Sequence, residues 1–127
     1  MGLSYYADNL VVSALLNGVN LTAPTTLYLA LYTSDPTAAD SGTEISGFSY
    51  ARQAITFGSP TNGTVESTNN IVFPTATGTW GTITYAAIRD AITAGNLLIS
   101  GALASSKSIS FGDILLFNAG NVACVIS

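Results

Sequence analysis

Seven side-chain carboxylates, three cations, one thiol and six phenols are the acid–base groups of this 127-residue chain, and histidine is absent. Without histidine there is no imidazole base, no imidazole metal ligand, and no Ser-His-Asp or Cys-His arrangement. A pair of carboxylates acting on a sugar is the remaining hydrolytic option. The acids, Asp8, Asp35, Asp40, Glu44, Glu66, Asp90 and Asp113, fall mainly at turn positions, where a carboxylate bonds its own backbone. Asp35, Asp40 and Glu44 form the densest acidic segment, and a loose calcium site there would have to use all three, although they lack the spacing of a calcium-binding loop. No glycine spacing ahead of a helix matches a phosphate cradle. The residues therefore point away from catalysis, and no cofactor or metal is expected.

The segment from Leu27 to Thr33 places leucine at every second position up to Leu31, the pattern of a strand with one aliphatic face in the core. Ser34-Asp35-Pro36 forces a turn, a polar loop follows, and Tyr50 to Phe57 reads as a second strand. Asn62-Gly63 is a hairpin signal ahead of a short edge strand, Thr64 to Glu66. Ile71 to Phe73 ends at Pro74. Trp80 to Arg89 reads as a long mid-sheet strand, with Ile83, Tyr85 and Ala87 on one face. Leu97 to Leu103 and Lys107 to Phe111 read as two further strands, Ile114 to Phe117 as an antiparallel return from the latter, and Val122 to Ile126 as the last. Ser4 to Gly18 is the one helix candidate, with Ser4 as N-cap, Leu10, Val11, Ala14 and Leu15 on one face, and Asn17-Gly18 as the stop. The spacing predicts an all-β protein: a single antiparallel β-sandwich, jelly-roll-like, with one short N-terminal helix. Residues 1–26 form an N-terminal segment docked on the domain or on a partner, and residues 27–127 the sandwich.

Composition narrows the function further. Only 8% of residues are charged although 48% are hydrophobic, so the surface must be built from Ser, Thr, Asn and Gly, and much of it is expected to meet protein. A net charge of −4, with Arg52, Arg89 and Lys107 scattered along the chain, argues against nucleic-acid binding. No apolar run reaches the roughly 20 residues of a membrane span. Cys124 has no internal partner and reads as a small buried side chain. The first residues lack an export-signal pattern, so assembly in the cytoplasm is expected, and the Asn20 and Asn62 glycosylation patterns are discounted. Leu3, Tyr5 and Tyr6 are candidate anchors for a partner. Trp80, between glycines, is a candidate rim aromatic on which a sugar would stack, with core burial the alternative. Arg52 and Arg89 are candidate polar interface anchors.

The segments LYLALYTSDP, Gly42-Thr43-Glu44-Ile45-Ser46-Gly47, Tyr50 to Phe57, Ile71 to Ala76 and Trp80 to Thr84 together resemble small tailed-phage virion structural proteins. Such chains are commonly labelled tail-fibre proteins, and similar β-domains serve as capsid decoration, or cement, proteins. The resemblance implies a non-enzymatic decoration protein on the capsid exterior, bound to the major capsid protein as a homotrimer at threefold positions. A tail-fibre or baseplate subunit, with or without host-glycan binding, is the alternative.

Overall fold

The computed structural model describes residues 2–125. Nine strands and one helix follow in the order β1 (Gly2–Leu3), α1 (Tyr5–Leu16), β2 (Leu27–Tyr32), β3 (Gln53–Ile55), β4 (Thr64–Glu66), β5 (Ile71–Val72), β6 (Gly81–Arg89), β7 (Leu97–Ile109), β8 (Leu116–Phe117) and β9 (Ala123–Val125). The protein is all-β in class. Five strands form one antiparallel sheet ordered β1-β7-β6-β2-β3, while β4–β9 and β5–β8 are separate two-stranded ribbons. Ile126, the expected end of the last strand, lies outside the described residues.

Strand β2 is covered on both faces. Leu29 and Leu31 join the main core, as the leucine alternation requires, but Ala30 and Tyr32 are also buried, in a second cluster with Ala87 and Leu97. Tyrosine and alanine between leucines are compatible with either a wet or a dry face, so the expected single buried face is corrected to two.

Bulges account for the other departures. In the β6–β7 ladder, Ile83 pairs with Lys107 and Tyr85 with Ala102. Leu103 to Ser106 thus stand opposite Thr84 alone, whose hydroxyl donates to the Thr33 carbonyl at 3.0 Å. The bulge shifts the side-chain parity of β6. Ile83, Ala86 and Ile88 share the main core, while Tyr85 and Ala87 face the second cluster, instead of Ile83, Tyr85 and Ala87 sharing a face. It also keeps β7 continuous over 13 residues where two strands were expected. Beyond the turn at Gly112, β8 pairs with β5 and not with β7, so the chain crosses to the opposite layer.

That opposite layer is held by side chains more than by ladders. Ile71, Phe73, Leu115, Val122 and Cys124 pack in one cluster with Leu29, Leu31, Ile83, Ile88 and Ile99 of the sheet. Asn62 and Gly63 both take positive φ, 52° and 78°, as the tight hairpin turn ahead of β4 requires. Between Tyr50 and Phe57 only Gln53–Ile55 is strand, and Phe57 makes a lone bridge to Ser67.

The helix forms where its caps place it. Ser4 Oγ accepts from Ala7 N at 3.1 Å and donates to the Leu97 carbonyl, while Ser4 N donates to Leu98 O at 2.9 Å. One buried serine therefore caps the helix and ties it to β7. At the other end Gly18, at φ 69°, reverses the chain, and the Val19 N–H returns to the Ser13 carbonyl at 3.1 Å.

Candidate functional site

The charged side chains singled out for chemistry form two ion-paired knots. Glu44 lies beside β2 through a bridge to Tyr32. Its Oε1 accepts from Arg52 Nη2 at 2.7 Å, and its Oε2 from Arg52 Nε at 2.8 Å and the Tyr50 hydroxyl at 2.7 Å. Arg52 Nη1 donates onward to the carbonyls of Ala91 and Ala94. Arg89 grips Asp40 through both carboxylate oxygens, at 2.8 and 2.9 Å, and also donates to the Tyr32 hydroxyl and the Gly95 carbonyl. Each pair has the two-pronged geometry that makes arginine–carboxylate contacts strong.

These knots hold the loop carrying Asp40 and Glu44 against the loop at residues 91–95. Hydrogen bonding to Glu44 raises the Arg52 pKa above its ordinary value despite burial, and Asp40 does the same for Arg89. Both guanidinium groups turn inward and spend their donors within the subunit. Both remain charged at any pH the fold survives.

The three acids weighed for calcium do not share a site. Asp40 and Glu44 are each saturated by a different arginine, and Asp35 Oδ1 accepts from the Thr37 N–H at 2.8 Å as a local turn. The carboxylates weighed for calcium thus do not converge on one point. Among the described residues no group of three or more acidic, His or Cys side chains is placed to hold a metal.

Trp80 is 6% exposed. Its indole Nε1 donates to the Phe48 carbonyl at 2.9 Å, and its ring meets Tyr50 and Phe73 edge-on. The following strand draws it inward, so it offers no face to a sugar. The aromatic at that surface is Phe48, 55% exposed. Phe48 and Ser49 are consecutive non-glycine residues at positive φ, 51° and 69°, and the Phe48 ring lies over Gly78, where a Cβ would come within 2.4 Å of it. Sequence reading missed this position, since the only local signal is the lack of a side chain at Gly78.

The exposed apolar surface concentrates on α1 and the segment after it. Ala7 is buried and Leu10, Val11 and Ala14 are half-buried toward β7, whereas Tyr5 is 64%, Leu15 77% and Leu16 78% exposed. Leu15, expected with the docked residues, belongs to the open side. Leu3 is half-buried in β1, and Tyr6 is exposed at the helix start. A smaller apolar set, Val72, Phe111, Ile114 and Leu116, lies on and beside the β5–β8 ribbon.

Two buried phenols give the fold an alkaline limit. Burial, reinforced by Glu44, raises the Tyr50 pKa above the ordinary 10.0, and burial raises that of Tyr32 despite the neighbouring Arg89. A raised phenol favours the neutral form in the fold, so this contribution is complete below about pH 10 and lost as pH rises further. The unfolding free energy from urea titrations should be flat from about pH 7 to 9, then fall by roughly 1–2 kcal/mol per pH unit above about pH 10. Tyr50→Phe should flatten that alkaline slope. An unchanged slope would mean the Tyr50 hydroxyl ionises freely in the fold.

The family model described as Gp80, podophage GP4 fiber I protein gp80, matches residues 2–124. No curated protein matches the chain. No described helix is long and apolar enough to cross a membrane.

Proposed function

The chain belongs to the podophage GP4 fiber I protein gp80 family of tailed-phage virion structural proteins, and from that premise we propose that it is a non-enzymatic subunit of a phage tail fibre. The observation that carries this reading is the family match over nearly the whole chain. The side chains support it. Of the seven carboxylates, Asp40 and Glu44 are engaged by arginines, and those arginines brace loops. The surface open to contact carries few charges and includes the apolar outer face of α1.

Mechanically, such a subunit has to keep its shape while its neighbours pull on it. Loops fastened by two-pronged ion pairs and a core shared by both layers suit that task. Partners are then further copies of the chain and adjacent virion proteins. Capsid decoration would use the same contact surface on a different mount, with the major capsid protein as partner and a homotrimer at threefold positions. The family's description as a fiber protein supports the fibre reading.

Gold-labelled antibody against this chain, imaged on intact particles, tests the assignment. Label on the tail or its appendages is the expected result. Label spread over the head would replace the fibre reading with decoration, and no label on particles containing the chain by mass spectrometry would overturn exposure on the virion exterior.

A further inference from the structure

Strand β7 is the edge of the five-stranded sheet over most of its length. Strand β1 pairs with it only at Ile99 and Ser100, and among the described residues no other strand lies on that side. Residues 103–106 have no partner in β6 either, and they take part in none of the main-chain bonds of turns and loops. Residues 104–108 are all exposed. A run of main-chain N–H and C=O groups is therefore left to water on a strand already held extended, the template on which a further strand adds.

Beside this edge the two layers part. A groove of about 380 Å³ lies between Leu103 and Lys107 on one side and Leu115, Phe117 and Val122 on the other, with Ala86 of β6 also in its lining. A strand laid along β7 would turn every second side chain toward it.

We propose that the free edge of β7 receives an extended acidic segment of a different virion protein, which adds as a strand along residues 102–107, sets alternate apolar side chains in the groove and brings a carboxylate to Lys107. This deepens the structural-subunit reading above, on which it rests. Three features select that occupant. Unpaired main-chain groups on an extended strand are matched by another extended main chain, not by a helix. Lys107 is the one charged residue of β7 and makes no ion pair among the described residues, so it favours a strand that carries an acid. Two copies joined edge to edge through β7 would bring together two lysines and no acid, the arrangement by which edges resist pairing with themselves.

Lys107 is also the only lysine of the chain, so the contact can be read in the unmodified protein. A water-soluble carbodiimide applied to intact particles joins touching amines and carboxylates as amides, and mass spectrometry of the peptides containing Lys107 identifies what it meets. The expected result is a link to an Asp or Glu of another virion protein. A link to a second copy of this chain, a link within the chain only, or no link at all would each overturn the proposal. Amide hydrogen exchange gives an independent readout: residues 103–106 should exchange at least about tenfold more slowly on particles than in the purified chain. Equal rates would overturn it.

Variants supplied during phage assembly test the two kinds of contact separately. Ser106→Pro removes an N–H that no β6 residue uses, and should lower the copies per particle by about tenfold. Lys107→Glu should lower them several-fold, and Lys107→Arg should stay near wild type. Circular dichroism of the purified variants checks the fold, and should Ser106→Pro fail that check, the contrast at position 107 decides. Wild-type incorporation of Lys107→Glu would overturn the acidic strand. A Lys107 link to a capsid protein, with antibody label on the head, would keep the added strand and discard the fibre reading, whereas tail label without a link from Lys107 would do the reverse.

Discussion

Glu44→Ala is expected to destabilise the protein by about 3 kcal/mol, lowering the thermal midpoint by roughly 8–15 °C for a domain of this size. The Arg52 side chain is 7% exposed, and its four hydrogen bonds, two to Glu44 and two to the carbonyls of Ala91 and Ala94, depend on the cation staying in place. Without the carboxylate, a buried guanidinium is left uncompensated, and the Tyr50 hydroxyl loses its acceptor while still receiving the Leu31 N–H at 3.0 Å. Glu44 itself is 21% exposed, so water reaches the site and the cost falls at the low end of the roughly 3–5 kcal/mol for breaking a buried pair.

The neutral replacement separates charge from shape. Glu44→Gln should cost about half as much, because one oxygen still accepts. Combining Glu44→Leu with Arg52→Met should be less damaging than the sum of the two single changes, since no charge is then stranded. A midpoint for Glu44→Ala within about 2 °C of wild type would show that the pair is solvated and that the loops are fixed by other contacts.

That ion pair also marks where sequence reasoning stopped. The helix was legible to within two residues because its signals are local: a serine able to cap, and Asn17-Gly18 able to end it. The turns at Asp35-Pro36 and Asn62-Gly63 were legible for the same reason. The pairing of Glu44 with Arg52 was not, because it joins a loop to the approach of β3 with no periodic spacing. Arginines in so uncharged a chain invite assignment to an interface. Their carboxylates were visible in the sequence, but which arginine meets which acid is decided by the register of β2 against β3 and β6.

Bulges hid the rest. A strict alternation puts Ile83 with Tyr85, and only the excess of β7 residues opposite Thr84 reverses it. Small and polar residues from Ala104 to Lys107 look like a loop because nothing in them needs a core. Strand β1 was missed because two residues carry no period. The outer stripe of α1 was hidden by its own hydrophobicity: apolar residues are assigned to the inside, and only the packing of Ala7, Leu10 and Val11 on β7 shows that the others have nowhere left to go.

Phe73→Ala should be the most damaging single truncation, at about 4 kcal/mol. Phe73 is 1% exposed and sits at the centre of an aromatic cluster, stacked on Tyr50 at 6.1 Å and edge-on to Trp80 and Phe117 at 6.4 and 6.3 Å. Its loss removes the transfer energy of a benzyl group and leaves a void among rings too rigid to collapse into it. The position is sensitive for a topological reason. Strands β5 and β8 are two residues each, so their ladder contributes few hydrogen bonds, and it is packing against Phe73 that fastens this ribbon over the sheet.

Phe73→Leu keeps the packing partly intact and should cost no more than about 1.5 kcal/mol. Urea unfolding followed by tryptophan fluorescence measures both variants, since Trp80 touches the ring being removed. If the ribbon loosens ahead of the sheet, Phe73→Ala should also show a lower denaturant slope than wild type, the mark of a native state that already exposes more surface. A loss under about 2 kcal/mol with an unchanged slope would mean that the β5–β8 ladder and the remaining aromatics hold the second layer without it.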